Sequence, residues 1–166
     1  MRTLRATPLT HAAFARFGGV VEAGGEALAA NQGRARRFDL ALDLAATDPR
    51  AARLASALYR IEASSLPYAV RMIERHPLSS QFFFPGRAGR FLVCVFDSRD
   101  DGEPDLDRAH AFIGHQSQGL VYRAGVWHAP LLALDAPGEF LMQMWQCDGP
   151  ADCEERALAT PFCVSQ

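Results

Sequence analysis

Glu74 and His76 stand one residue apart in "IERHPLSSQFFF", and Gln81 follows five positions later. A carboxylate, an imidazole and a carboxamide supply a base, a group that titrates near neutral pH and a neutral donor–acceptor. If the segment is a strand, Met72, Glu74 and His76 share one face while Arg71, Ile73 and Arg75 share the other. Pro77 then stops or turns the chain, and Gln81 opens the next strand. Glu-x-His-x4-Gln is on that reading a compact set of oxygen and nitrogen donors facing one space. The plainer account of the same residues is a solvated strand edge, with "FFFP" behind it filling a core.

A second set lies in "GLVYRAGVWHAPLLAL", Gly119 to Leu134. Arg123-Ala124-Gly125 reads as a turn, and His128 follows three residues past the glycine at the start of an apolar strand. That position suits a side chain projecting into the mouth of a β-barrel. It equally suits a core histidine hydrogen-bonded to backbone. Trp127 falls on the opposite face and packs there. Tyr122 either faces the site or packs.

For these residues to act together, the chain must bring several strand ends to one place. From residue 66 onward the pattern is β: "LPYAVRMIERHP", "SQFFFPG", "GRFLVCVFD", "RAHAFIG", "GLVYRAGVWHAPLLAL" and "EFLMQMWQCD" are short apolar or alternating runs. Turn compositions such as "PGRAG", "SRDDGEPD" and "DAPGE" separate them. Short strands at this spacing predict an all-β sandwich or barrel. Ahead of them, Thr10 is placed to cap a helix over His11 to Phe17 that Gly18-Gly19 ends. "DPRAARLASALYRIEA" is the best helical candidate, although "ALYRIEA" also reads as strand. With 166 residues, no internal repeat and no low-complexity linker, one domain over 1–166 is expected.

Composition removes several classes of chemistry. All 17 basic residues are arginine. Without lysine there is no Schiff base, no pyridoxal aldimine and no Walker P-loop, and an anionic ligand must be met by Arg, His or backbone N–H groups. A net charge of −2 gives no footprint for nucleic acid or an anionic membrane. The apolar runs are short of a membrane span and the opening residues lack a secretory core, so the cytoplasm is expected. The four cysteines, Cys94, Cys147, Cys153 and Cys163, form no C-x-x-C, and Cys94 reads as a small buried hydrophobe.

Together the two motifs resemble those of the cupin superfamily. Glu74 stands where its first motif has a histidine, His76 matches the second histidine, Gln81 replaces the glutamate and His128 matches the final histidine. "GLVYRAGVWH" is similar to the second motif without its turn proline. The resemblance implies a double-stranded β-helix, a jelly-roll-like barrel with a few short peripheral helices. "RHPLSSQFFFP", "YRAGVWHAPLLAL", "ANQGRARRFDLA" and "PDLDRAHAFIGHQSQG" resemble, more narrowly, the ureidoglycolate lyase family of allantoin degradation, and the likeness covers nearly the whole chain.

That resemblance implies a carbon–nitrogen lyase of the amidine-lyase class, splitting (S)-ureidoglycolate into glyoxylate and urea. The reaction needs a base for the hydroxyl proton, an acid for the departing nitrogen and an anchor for the carboxylate. His76, His128, Glu74 and Gln81 are the catalytic candidates. Arg37, Asn31, Tyr122 and Arg75 are the substrate-binding candidates, with Arg75 facing away from Glu74 by alternation. Glu74, His76, Gln81 and His128 also form a mixed donor set for a divalent metal, nickel or another first-row ion, with metal-free acid–base chemistry as the other reading. The expected partners are a small-molecule substrate and a second copy in a homodimer. A non-catalytic cupin binding a small metabolite, and a cupin sugar epimerase or isomerase, are the competing functions.

Overall fold

The computed structural model describes residues 2–40 and 42–166. β1 (Arg2–Arg5) and β2 (Thr7–Pro8) lead into a four-residue helix, α1 (His11–Phe14), and then β3 (Gly18–Val21). A hairpin of β4 (Leu28–Ala30) and β5 (Ala35–Arg37) closes around a 3-10 turn at Asn31–Gly33. β6 (Arg53–Ile61), β7 (Ala63–Ser64), β8 (Tyr68–Arg75), β9 (Gln81–Arg87) and β10 (Arg90–Ser98) follow. The chain finishes with β11 (Pro104–Gly114), β12 (Gly119–Tyr122), β13 (Trp127–His128), β14 (Leu132–Leu134), β15 (Gly138–Gln146) and β16 (Glu154–Ser165). A second 3-10 turn, Pro150–Asp152, precedes β16.

The first sheet runs β1-β16-β8-β13-β10-β11-β2, with β14 also on β10; the second runs β3-β12-β9-β15-β6. From β8 onward the chain passes repeatedly between them: β8 in the first, β9 in the second, β10 and β11 in the first, β12 in the second. β13 and β14 return to the first sheet, β15 to the second, and β16 ends in the first. That alternation is the double-stranded β-helix expected from the sequence. β1 and β2 pair with opposite edges of the first sheet, β16 and β11, and so draw it nearly closed. Backbone bonds from Ala6 to Ser165 and from Leu9 to Ile113 complete this seam.

β10 shows why the fold has two cores. Phe91, Val93 and Val95 enter the cluster between the two sheets, with Phe83, Phe140 and Met142. Leu92, Cys94 and Phe96 point the other way, into the space enclosed by the curled first sheet, with Ile73, Trp127 and Phe162. A strand buried on both faces must be apolar at consecutive positions, which accounts for the unbroken "FLVCVF".

Two local expectations change. α1 is capped by Thr10, which accepts from the Ala13 amide, but spans only His11–Phe14. Phe14 and Phe17 are nevertheless both buried. The best helical candidate is β6, a strand from Arg53, in line with its second reading. Its alanine- and leucine-rich composition favours helix locally, but nine consecutive registered pairs with β15 outweigh that propensity.

Candidate active site

Strand register brings the two sequence motifs together. Glu74 on β8 lies directly opposite His128 on β13, and Gln81 on β9 lies opposite Tyr122 on β12. The turn before β13 is held by the Gly125 amide donating to the His76 carbonyl at 2.8 Å. Gly125 has φ +78, a left-handed conformation that a side chain would strain. The turn therefore fixes His128 against the end of β8.

The result is a tight donor group. Ligand atoms of Glu74, His76 and His128 all lie within 4.8 Å of one another. His128 Nε2 is 3.5 Å from Glu74 Oε1, and the two imidazole rings are 5.7 Å apart. Each histidine is oriented through its other nitrogen: His76 Nδ1 is 2.7 Å from the Asp152 carbonyl and His128 Nδ1 is 2.8 Å from the Val126 carbonyl. A carbonyl only accepts, so Nδ1 carries the N–H in both rings and Nε2 is left for the site. Both Nε2 atoms, Gln81 Oε1 and Tyr122 Oη are buried without a hydrogen-bond partner. Buried polar atoms are ordinarily satisfied, so four orphans in one place mark a space built for something else.

That space is a cavity of about 350 Å³ lined by Glu74, His76 and Gln81 together with Tyr59, Met144 and Asp152. His128, 2% exposed, lies just behind its wall. The electrostatics are uneven. The nearness of His128, its Nε2 3.5 Å from Glu74 Oε1, pulls the Glu74 pKa below its usual value, outweighing burial. Burial, and then the neighbouring His128, lower the His76 pKa. Glu74 is held as the anion and His76 as the neutral base.

The other candidates are placed differently. Tyr122 stacks on His128, with ring centroids 4.1 Å apart at 13°, and buttresses it from behind the cavity wall. Arg75 faces away from the cavity, as alternation predicts. It covers Trp127 at 4.6 Å, pairs with Glu154 at 2.9 Å and donates to the Gly102 carbonyl. Asn31 and Arg37 lie on the exposed β4–β5 hairpin, where Arg37 pairs with Asp39 at 2.6 Å, and neither lines the cavity.

Sequence reading missed the Gln146–Cys153 segment. Asp152 is 7% exposed. Its Oδ1 accepts from the Leu78 amide at 3.3 Å, its carbonyl orients His76 and its Oδ2 is unpartnered. Burial raises the Asp152 pKa. Cys147 and Cys153 sit at the rim, and Cys153 Sγ is 4.0 Å from Glu74 Oε2. Nothing local in "CDGPADCEE" announces this. Only the pairing of β16 with β8, Glu155 against Glu74, brings the segment over the mouth. Cys94 is a buried thiol pushed up to about 12 by desolvation, too high for chemistry at neutral pH.

A family model described as ureidoglycolate lyase matches residues 1–165. Among individual proteins, the chain is 40% identical to a ureidoglycolate lyase of Rhizobium etli over 161 residues, 96% of this chain and 93% of that one. It is 38% identical to that of Azotobacter vinelandii over 156 residues, 93% and 92% of the two chains. Partial structural likenesses include an oxalate decarboxylase of Lactobacillus farciminis in a formate complex, at 18% identity and TM-score 0.43, over 63% of this chain and 26% of that chain. RmlC of Streptococcus suis in complex with dTDP-D-xylose matches at 11% identity and TM-score 0.44, over 58% of this chain and 46% of that one.

Proposed function

The chain belongs to the ureidoglycolate lyase family, and we propose that the cavity at Glu74, His76, Gln81 and His128 is where it cleaves (S)-ureidoglycolate to glyoxylate and urea. The observation that carries this is the pair of imidazoles with carbonyl-locked Nδ1 atoms and unpartnered Nε2 atoms beside an ionised carboxylate. The substrate is a carbinolamine, so no covalent enzyme intermediate is needed. Removing the hydroxyl proton lets the oxygen lone pair form the C=O bond. The C–N bond breaks with its electrons on the urea nitrogen, which takes up a proton.

His76, kept neutral by burial, has the free lone pair to take the hydroxyl proton at Nε2. His128 Nε2, 3.5 Å from Glu74 Oε1, is the atom placed to pass a proton to the leaving nitrogen, which it can do only when the ring carries a second proton beside the one Nδ1 commits to the Val126 carbonyl. Gln81 contributes a carbonyl oxygen that can accept from a ureido N–H without changing charge. Asp152 acts through His76, fixing its tautomer and ring plane.

The same donor set suits a metal. Two imidazole Nε2 atoms and a carboxylate within 4.8 Å, with Gln81 beside them, fit a first-row divalent ion such as nickel. When bound, such an ion would polarise the substrate hydroxyl and lower its pKa. Residues 1–166 act as one domain, a reading supported by the pairing of the first strand with the last. We place the enzyme in the cytoplasm as a homodimer; exposed leucines on the second sheet, described below, support the dimer.

Following glyoxylate release from racemic ureidoglycolate, on protein as purified, chelated and nickel-reloaded, tests the activity and the metal together. One enantiomer should be consumed well above buffer decay. Equal decay of both with every preparation would sink the lyase reading, and full activity after exhaustive chelation would remove the metal.

A further inference from the structure

The proposed substrate is an anion, yet its cavity is acidic. Glu74 and Asp152 line it, and no arginine does; the chain has no lysine. Gln146, which lines the cavity, accepts from Arg53 at 2.8 Å. Unpaired guanidinium groups lie elsewhere. The β4–β5 hairpin carries Arg34, Arg36 and Arg37, all exposed. Among the described residues, Arg34 and Arg36 have no ion-pair partner.

This hairpin stands apart from both sheets, its strands pairing only with each other. It springs from β3, and the chain returns with Leu42 lying over Gly19 of the same strand. β3 and β6 are opposite edges of the second sheet, with β12, β9 and β15 between them. Four strand spacings separate those edges by roughly 19 Å. Tyr59 of β6 lines the cavity, beside Met142, Met144 and Gln146 of β15. The hairpin leaves the second sheet at the β3 edge and lines no part of its own cavity. Its tip is also held in an unusual backbone, with Asn31 at φ 51 and Gln32 at φ 58, a conformation that costs energy and is enriched at ligand clamps.

Between the two edges, the outer face of the second sheet carries exposed leucines around a Gln143–Ser56 hydrogen bond of 3.1 Å. Leu58 is 62% exposed, Leu54 45% and Leu141 40%. Leu58 lies opposite Leu141, which in turn lies opposite Phe84. Resting on the lyase and dimer reading above, we infer that a second copy of this chain covers this face about a two-fold axis, and that its β4–β5 hairpin supplies Arg34 and Arg36 to the acidic mouth. A two-fold interface repeats each contact, so each hairpin serves the other's cavity and both sites are completed in trans. The complementarity is direct: an arginine-rich arm meets a mouth bearing Glu74, Asp152 and Glu155, and its guanidinium fork then receives the substrate carboxylate.

Two experiments separate this from the activity itself. In a Cys147→Ser background, Arg34→Cys is oxidised against Cys153 at the rim and run on a non-reducing gel. A covalent dimer that disappears in the Cys153→Ser control is expected; a cross-link confined to the monomer band, or none, overturns delivery in trans, whatever the substrate proves to be. The second is complementation. Differently tagged chains bearing His128→Ala and Arg34→Ala/Arg36→Ala/Arg37→Ala are co-expressed and the heterodimer purified. One intact cavity then faces one intact hairpin, and kcat/KM should be about half that of wild type, with each parent homodimer at least tenfold below it. A heterodimer as weak as its parents, or a triple variant of normal KM beside an Arg53→Ala of tenfold raised KM, overturns the proposal and leaves Arg53 as anchor. Wild-type protein that releases no glyoxylate refutes the lyase reading alone.

Discussion

Two histidines flank Val95 on the same face of the first sheet, His110 from β11 on one side and His128 from β13 on the other. They are separated by two strand spacings, about 10 Å, and their surroundings are opposite. His110 takes a hydrogen bond from Arg16 at Nε2, and Asp97 beside it is paired with Arg108 at 2.8 Å and Arg16 at 3.2 Å. Asp97 lies between two arginines whose side chains reach solvent. His128 is sealed behind Tyr122, with its Nε2 directed at Glu74 and no hydrogen bond to close it. On the proposed reading this separates a structural histidine from a catalytic candidate: the candidate is oriented at one nitrogen and unsatisfied at the other.

Breaking each side in turn should give very unequal results. His128→Ala removes the imidazole that faces Glu74, and glyoxylate release should fall by roughly 10²–10⁴, with His76→Ala in the same range and both retaining a cooperative melt. His110→Ala should stay within about twofold of wild type. Steady-state kinetics on the three variants would dissolve the distinction if His110→Ala proved as damaging as His128→Ala.

A smaller loss is expected at Asp152, which lines the cavity and orients His76 through its backbone carbonyl. Asp152→Asn keeps the backbone carbonyl that orients the ring and should cost about tenfold or less in kcat. Pro150→Gly, which loosens the turn presenting that carbonyl, should shift the acidic limb of the pH–rate profile as well, because the tautomer of His76 is then no longer fixed. An unshifted limb in Pro150→Gly would mean that His76 is positioned by β8 alone.

The sequence made one side of this comparison readable and concealed the other. Alternation along "MIERH" put Glu74 and His76 on one face and Arg75 on the other because a strand's period is a local property. His128 could be joined to them because a turn glycine and a strand start also leave local marks. His110 gave no comparable sign: burial, and then Arg16 94 positions away, lower its pKa. Asp152 was invisible for the same reason, its partners Leu78 and His76 being 74 and 76 residues distant. β6 was read first as helix because Ala, Leu and Arg favour one, and only its ladder with β15 decides otherwise.

Acidification should strain the reactive side. Both Glu74 and His76 have pKa values below their ordinary ones. A group depressed in the folded state binds fewer protons there than in the unfolded chain, so its contribution to stability is complete above the unfolded pKa and is lost as pH falls. For His76 the loss starts near the ordinary value of 6.5, and for Glu74 near 4.5. Thermal melts from pH 7.5 to 4.5 should show Tm falling below about 6.5, by roughly 2–4 °C for each kcal/mol lost. His76→Asn should flatten the first part of that fall. A wild-type Tm constant over this range would mean that the buried imidazole is not held neutral.

The smallest effect belongs to the satisfied side. Arg108 is exposed and its partner Asp97 keeps Arg16 after Arg108→Ala, so the variant loses one of two ion pairs without stranding a buried charge. Such pairs contribute about 0.2–1 kcal/mol, and salt near physiological strength screens them over about 8 Å. Urea denaturation should therefore show a deficit within that range at low salt that shrinks in 1 M NaCl, with kcat and KM unaltered. The result is informative because of what lies two strands away. If removing Arg108 lowered glyoxylate release tenfold, the field of the Asp97 cluster would be reaching the Glu74–His128 pair through Val95, and the two histidines would have to be treated as parts of one site.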